Sequence, residues 1–278
     1  MKHCLFFVFS VFLLTSCVGQ YEMLLRSPDA DLKYKKAIDY FDAKKYSRAL
    51  DLFESVALIN RGTQRDDSVQ YYMGMSQYYL NDYMTAESTF EQFAQVFQRS
   101  PFTEKVSFLR VDCLYQLTFR WELDQLPSHK AIAVAREFLY YYPTSDYMEF
   151  CNTMIEDLQG RLERKSMEAA KLYYKMEDYR AATYALRGVL RDNPDTRHRE
   201  EVMYYIVAAD YKYAQNSQPF RQRERYLLVI DAYYNFISEF PESKYVNELD
   251  GYFKRAQKAT NRNTDEVVTP VSTPATQE

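Results

Sequence analysis

The chain has 278 residues and a formal net charge of −4. The acidic balance gives no reason to expect nucleic acid as a partner. Only six glycines occur, and the abundance of Tyr, Leu, Ala, Glu and Lys favours helices over sheets. The 27 tyrosines suit shallow seams between helices, in which the ring is buried and the hydroxyl stays near water.

Residues 1–16 have the layout of an export signal. Lys2 and His3 precede an apolar run over residues 5–14 that is too short to remain as a membrane-spanning helix. The run ends in LTSC, which resembles the lipobox of bacterial lipoproteins. We therefore predict covalent lipid at Cys17 and no other cofactor; an ordinary signal with a chance cysteine is the alternative reading. Acyl chains would attach the protein to a membrane without a transmembrane helix.

A tether over residues 17–31 begins at the predicted lipidated cysteine. Helix pairs follow it over residues 32–260. The predicted units cover residues 32–60, 66–101, 103–143, 161–195 and 200–241, with a capping helix over 243–260. A long helix over residues 145–175 is expected to join the third unit to the fourth. Residues 261–278 are rich in Thr and Pro and are predicted to be disordered.

The units share one pattern. The first helix of each unit, helix A, carries a small residue: Ala37, Gly74, Cys113, Ala170 and Ala208. The second helix, helix B, carries Ala or Val followed four and seven residues later by further apolar residues, as in Ala86, Phe90 and Phe93. This is typical of tetratricopeptide repeats, which bury their apolar faces by stacking. The predicted fold is an all-α solenoid of about five repeats with a C-terminal capping helix.

No catalytic or metal-binding constellation is recognisable. His129 and His198 lie far apart in polar segments. No serine stands in the Gly-x-Ser-x-Gly setting of a nucleophile, and no glycine-rich phosphate-binding loop occurs. Cys113 and Cys151 lack metal-like spacing, and we predict that both are unpaired core residues, although an export compartment would permit a bridge. The sequence therefore favours a non-enzymatic role for the chain.

A binding surface is the remaining expectation. In a tetratricopeptide array helix A lines the concave side, and the positions predicted to face a peptide groove are Tyr34, Ile38, Phe41, Tyr71, Met75, Tyr78 and Arg110. Packing between repeats is the competing explanation for each ring. Basic residues cluster later in the chain, and the candidates for docking an acidic partner are Arg187, Arg191, Arg197, Arg221 and Arg225. Solvated helix faces are the alternative there.

Several segments of the chain resemble the BamD family: the lipobox, the short tether, the first helix pair KYKKAIDYFDAKKYSRALDLFE, and the segments RGT, LDQ and EFPESKYVNE. Its members are lipoprotein subunits of the outer-membrane β-barrel assembly (BAM) machinery. The resemblance covers residues 21–258. Two departures are the Thr/Pro tail and the TFRWELDQ loop.

The resemblance implies a location on the periplasmic side of the outer membrane. It also implies recognition of the C-terminal signals of unfolded barrel proteins, docking on the periplasmic domains of BamA, and contact with other BAM lipoproteins. The alternative is a periplasmic scaffold lipoprotein that takes no part in barrel insertion.

Overall fold

The computed structural model describes the backbone of residues 19–267 and the side chains of residues 19–261. The predicted signal over residues 1–16, Cys17 and the chain beyond residue 267 lie outside the described residues. Residues 19–25 are helical. Eleven further helices follow in the described part: α1 Ala30–Asp42, α2 Tyr46–Asn60, α3 Asp66–Tyr79, α4 Tyr83–Val96, α5 Thr103–Gln116, α6 Leu126–Tyr141, α7 Met148–Lys175, α8 Tyr179–Asp192, α9 Arg199–Gln215, α10 Pro219–Glu239 and α11 Val246–Val267.

Helices α1 to α6 pack mainly against their neighbours along the chain, and so do helices α8 to α11, as expected for stacked helix pairs. No strand occurs in the described residues, and the predicted all-α solenoid of tetratricopeptide-type pairs is confirmed. The chain divides into two compact units, unit 1 ending at Leu158 and unit 2 beginning at Gln159. The division falls within α7, which is a single helix of 28 residues, as predicted.

The helices of unit 1 alternate in direction, so all their ends lie at two edges. We call the edge where α1, α3 and α5 end, and where α2, α4 and α6 begin, the A–B end. There Tyr46 stacks on Tyr79 with ring centroids 4.6 Å apart, and the Tyr78 hydroxyl donates to Asp112. At the opposite edge, the B–A end, the Tyr71 and Phe102 rings stack at 4.3 Å.

Three of the short turns between helix A and helix B share one backbone conformation. Lys44, Asn81 and Glu177 each adopt a positive φ of about 60°, the left-handed conformation that reverses the chain after a helix. In the turns before α4 and α8 the next residue, Asp82 or Asp178, accepts a hydrogen bond from a backbone N–H and caps the following helix.

Three predicted boundaries are corrected. The tether predicted over residues 17–31 contains a helix over residues 19–25, and Tyr21 of this helix packs edge-on against Tyr40. The segment QNSQP predicts a longer loop between the two helices of the fifth unit, but this turn has only residues 216–218. Pro219 already belongs to the first turn of α10, where its missing N–H costs nothing. The last helix continues to Val267 instead of ending near residue 260, since no Pro or Gly interrupts residues 252–267.

The last helix covers the end of unit 2. Leu249 and Ala256 are fully buried. Tyr252 stacks on Tyr211 at 4.4 Å, and Phe253 stacks on Tyr233 at 4.3 Å. These rings close the apolar face that the last repeat would otherwise expose.

Candidate functional site: two clefts between repeats

The predicted aromatic groove is wrong for two of its residues. Tyr71 and Met75 are only 6% and 4% exposed, and both belong to the core that α3 forms with α4 and α5. The physical reason is the close approach at Gly74, which lets the Phe90 ring of α4 lie directly against α3. Side chains on this part of α3 are therefore packing residues and do not line an open surface.

The other aromatic groove residues lie in the seams between repeats. Tyr34, Ile38, Phe41 and Tyr78 are half-buried. The Tyr34 hydroxyl is 2.7 Å from the Ser68 hydroxyl, and Phe41 packs edge-on against Tyr72 with centroids 5.0 Å apart. Burial raises the pKa of Tyr78, and its hydrogen bond to the Asp112 carboxylate raises it further. These contacts favour packing between repeats over a shared groove.

Arg110, the remaining groove candidate, is the centre of a charged network. Its Nε donates to Glu87 at 3.2 Å and its Nη2 donates to Glu91. Lys130 donates to Glu87 at 3.2 Å from the other side. Glu87 is almost fully buried, and the two cations that contact its carboxylate compensate the buried negative charge. The network therefore joins α4, α5 and α6.

An open cleft of about 660 Å³ lies over this network, and we call it the Arg110 cleft. Helices α4 and α6 form its walls and α5 forms its floor. Its lining residues are Glu91, Ala94, Gln95, Gln98, Thr103, Ser107, Arg110, Val134, Glu137, Phe138, Tyr141 and Tyr142. Apolar rings and carbon surface on the α6 side face amides and hydroxyls on the other sides, a combination that suits an extended peptide.

In unit 2 the docking candidate Arg187 has a structural partner. Its Nη2 donates to Asp210 at 2.8 Å, and Thr183 donates to the other oxygen of that carboxylate at 2.9 Å. Asp210 is buried, and burial raises its pKa, while Arg187 and Thr183 act in the opposite direction. Arg187 therefore compensates the buried charge of Asp210 on α9, besides being a candidate for docking an acidic partner.

Arg187 and Arg191 also line a second cleft, of about 380 Å³, which we call the α8 cleft. Its lining residues are Arg180, Thr183, Tyr184, Arg187, Gly188, Arg191, Asp210, Tyr213 and Leu228. Arg180 was missed by the sequence reasoning, although its spacing of seven and eleven residues from the other two arginines places all three on one helical face. The cleft presents three guanidinium groups around one buried carboxylate.

The other three docking candidates lie outside the lining of this cleft. Arg225 stacks over the Tyr213 ring at 3.9 Å and donates to Ser217, and so it supports the turn before α10. Arg221 pairs with Glu224 at 3.4 Å on the surface of α10. The Arg197 guanidinium covers Gly160 of α7. The five arginines therefore do not form one patch.

The two cysteines of the described chain are buried and unpaired, as predicted. Burial raises the pKa of Cys113 well above its usual range and that of Cys151 to about 11, so both stay protonated at neutral pH. Among the described side chains, no group of three or more His, Cys, Asp or Glu residues could hold a metal ion. Over residues 19–267 no helix has both the length and the apolar character needed to span a bilayer.

Two solved tetratricopeptide structures are similar to this chain. The TPR2AB domain of yeast Sti1, in complex with an Hsp90 peptide, is 14% identical with a TM-score of 0.40, covering 82% of this chain and 98% of that one. The tetratricopeptide domain of P58(IPK) is 13% identical with a TM-score of 0.39, covering 84% of this chain and 66% of that one.

Sequence comparisons agree on one family. The outer membrane protein assembly factor BamD of Caulobacter vibrioides is 22% identical over 179 residues, which are 64% of this chain. The match spans 59% of the length of that relative. The family profile described as YfiO, outer membrane lipoprotein, matches residues 27–228 and so includes helices of both units. The chain belongs to the YfiO family of outer membrane lipoproteins.

Proposed function

We propose that the chain is a BamD-like assembly factor that helps β-barrel proteins to fold and insert into the outer membrane. The observation that carries this proposal is the YfiO match over residues 27–228, and the similarity to a BamD supports it. Lipid at Cys17 would hold the protein on the periplasmic side of the membrane. It would act by binding other polypeptides, without catalysis or a further cofactor.

The Arg110 cleft is the proposed site for the C-terminal segment of an unfolded barrel protein. An aromatic side chain of that segment would pack against Phe138 and Tyr141 on α6. Its terminal carboxylate would compete with Glu91 for Arg110, since Glu91 is the more exposed of the two carboxylates that Arg110 holds. Arg110 would thus keep the role predicted for it, at a site different from the predicted groove.

The α8 cleft is the proposed docking site for an acidic surface, and we assign it to the periplasmic domains of BamA. Guanidinium groups pair with carboxylates through two parallel hydrogen bonds, which gives orientation as well as affinity. Holding the client in one unit and BamA on the other raises the local concentration of the client beside the insertion machinery. Weak individual affinities are then sufficient. Other BAM lipoproteins are further candidate partners.

Depletion of the protein tests the function. The expected result is a general fall in outer-membrane β-barrel proteins, with the levels of other outer-membrane lipoproteins unchanged. A scaffold that takes no part in barrel insertion would leave the barrel proteins at their normal level. That outcome would overturn the proposal.

Exposed tyrosines of α6 test the peptide site. Tyr141→Ala should weaken cross-linking of a barrel C-terminal peptide, because it removes a ring from the cleft wall. Tyr140→Ala is the matched control, since Tyr140 is also exposed, at 80% against 65%, but does not line the cleft. Glu91→Gln should strengthen cross-linking, because it weakens the competitor for Arg110. Equal cross-linking in all three variants would remove the cleft from the proposal.

A further inference from the structure

The A–B end of unit 1, like the B–A end, carries exposed apolar side chains. Met84 in the first turn of α4 and Leu126 at the start of α6 are each 72% exposed. Phe119 and Leu123, in the loop between α5 and α6, are also exposed. Large exposed apolar groups mark candidate contact surfaces, and the position of the anchored end of the chain distinguishes the two edges.

The loop that carries Phe119 and Leu123 has a defined conformation. It spans residues 117–125 where the corresponding turns of the first two repeats have three residues each. The buried Gln125 amide donates to the carbonyl of Arg120 at 2.7 Å and to that of Leu123 at 3.1 Å. Ser128 donates to the same side chain at 2.9 Å. The loop is therefore held in place from inside before any partner binds.

The beginning of the described chain approaches this same end. The Tyr21 hydroxyl donates to the carbonyl of Arg48, near the start of α2, at 3.2 Å and to the Asp51 carboxylate at 2.8 Å. The Arg48 guanidinium lies over the Tyr21 ring at 5.2 Å. The chain then runs toward the B–A end, where Asp29 caps α1. Residue 19, two positions after Cys17, thus enters unit 1 from the A–B end.

The chemistry of this end suits the boundary between lipid headgroups and acyl chains. Trp rings favour that depth, and Phe and Leu side chains bury just below it. Arginine side chains can extend from it to the phosphates. The turn residues at this end carry charges of both signs: Lys44, Lys45 and Arg120 are positive, and Asp82, Glu122 and Asp124 are negative. Apolar burial, and not net charge, is therefore the expected source of the attraction.

We propose that the A–B end of unit 1 lies on the bilayer, with the loop over residues 117–125, Leu126 and Met84 in its interface. The inference rests on the lipid anchor at Cys17 in the proposed function. The anchor keeps this end close to the membrane, so modest apolar burial is enough for contact. A second attachment fixes the orientation of unit 1, which a flexible lipid anchor alone cannot do.

Trp121 provides a built-in probe, because it is the only tryptophan of the chain and lies within the loop. The lipidated full-length protein would be reconstituted into phosphatidylethanolamine–phosphatidylglycerol vesicles with or without lipids brominated near the headgroup. The expected result is a shift of Trp121 emission to shorter wavelength and its quenching by the brominated lipid. Raising the salt concentration should leave the quenching unchanged.

Two variants separate this contact from general attachment. Leu123→Glu with Leu126→Glu should abolish the quenching while the protein still floats with the vesicles. Leu58→Glu with Ile59→Glu is the matched control, since these residues are 76% and 62% exposed near the B–A end. This control should quench like the unmodified protein.

The other outcomes contradict the proposal in distinguishable ways. Flotation without quenching would overturn the loop contact and leave the lipid anchor standing. Failure to float would overturn both. Quenching that is retained in the loop variant, or lost in the control variant, would also overturn the contact. Self-association that covers the loop would shield Trp121 from lipid and count against it.

Discussion

At the scale of single residues, two helical glycines have opposite roles. A Cβ atom on Gly74 of α3 would lie 2.5 Å from Cε1 and 2.9 Å from Cδ1 of the Phe90 ring. That ring is fully buried, so it has no space to move away. A Cβ atom on Gly188 of α8 would meet nothing closer than the Arg191 guanidinium at 3.7 Å. Close packing explains why position 74 is glycine, whereas nothing packed against position 188 requires a glycine there.

Alanine at these two positions should therefore change stability in opposite directions. Gly74→Ala forces an overpacked contact and is expected to lower the free energy of unfolding by about 1–3 kcal/mol. Gly188→Ala gains helix propensity without a clash and is expected to raise it by about 0.5–1 kcal/mol. Urea unfolding followed by circular dichroism measures both. A stabilised Gly74→Ala variant would contradict the packing argument.

At the scale of helices, substitutions of the α8 arginines differ in whether they change only the surface or also the packing between helices. Arg187 compensates the buried Asp210 carboxylate of α9. Arg191 pairs with its exposed neighbour Asp192, and such exposed pairs contribute little to stability. Arg180 is exposed at the start of the same face. Changes at Arg180 and Arg191 therefore test the surface, while changes at Arg187 also disturb the contact between α8 and α9.

Arg180→Glu combined with Arg191→Glu should lower co-purification with BamA and leave the unfolding free energy within about 0.5 kcal/mol of the original. Arg221→Glu is the control, since Arg221 is exposed but outside the α8 cleft. Undiminished co-purification of the double variant would indicate that these arginines are ordinary residues of a solvent-exposed helix face.

Arg187→Ala should instead destabilise unit 2 in a manner that depends on pH. Without the guanidinium group, the already raised pKa of Asp210 rises further. Above that pKa the ionised carboxylate is buried without a cation, so the loss of stability is full at neutral pH. As the pH falls through the pKa, the folded state takes up a proton and the loss shrinks. Urea unfolding at pH 7 and at about pH 4 measures the difference, and an equal loss at both would contradict this account.

At the scale of the whole molecule, tyrosine hydroxyls bonded to carboxylates occur in both units. Tyr78 donates to Asp112 in unit 1, and Tyr204 and Tyr252 both donate to Glu248 in unit 2. Burial, assisted by these carboxylates, raises the pKa of each phenol. The same causes raise the pKa of Tyr233, which donates to Asp250, to about 12. Ionised tyrosine is therefore disfavoured in the folded chain.

The stability of the protein should consequently fall in alkaline solution. A phenol whose pKa is raised on folding contributes stability that is complete below its unfolded value of about 10 and is lost as the pH rises through the folded value. Urea midpoints are expected to decrease steadily above about pH 10, with phenolate absorbance rising in the same transition. Tyr204→Phe should reduce this dependence, because it removes one such hydroxyl. Phenolate formation well before unfolding would contradict the prediction.

The repeat pattern was readable from the sequence because it depends on local spacing. Ala86 and Phe90 lie on one face of any helix that contains them, and they are buried as predicted. The Asp29 cap of α1 follows from local chemistry too. In the same way, Cys17 and its preceding segment carry the lipidation prediction without any reference to a fold.

The open surfaces were decided by tertiary packing. Tyr71 and Arg110 occupy similar predicted positions in their repeats, yet Tyr71 is enclosed by α4, α5 and Phe102, whereas Arg110 lies in a cleft between α4 and α6. Exposure depends on how closely neighbouring helices approach, and this is set by contacts such as that of Gly74 with Phe90, which join different helices. Spacing along one helix identifies the side that faces a neighbour, but only the positions of both neighbours determine whether a gap remains there.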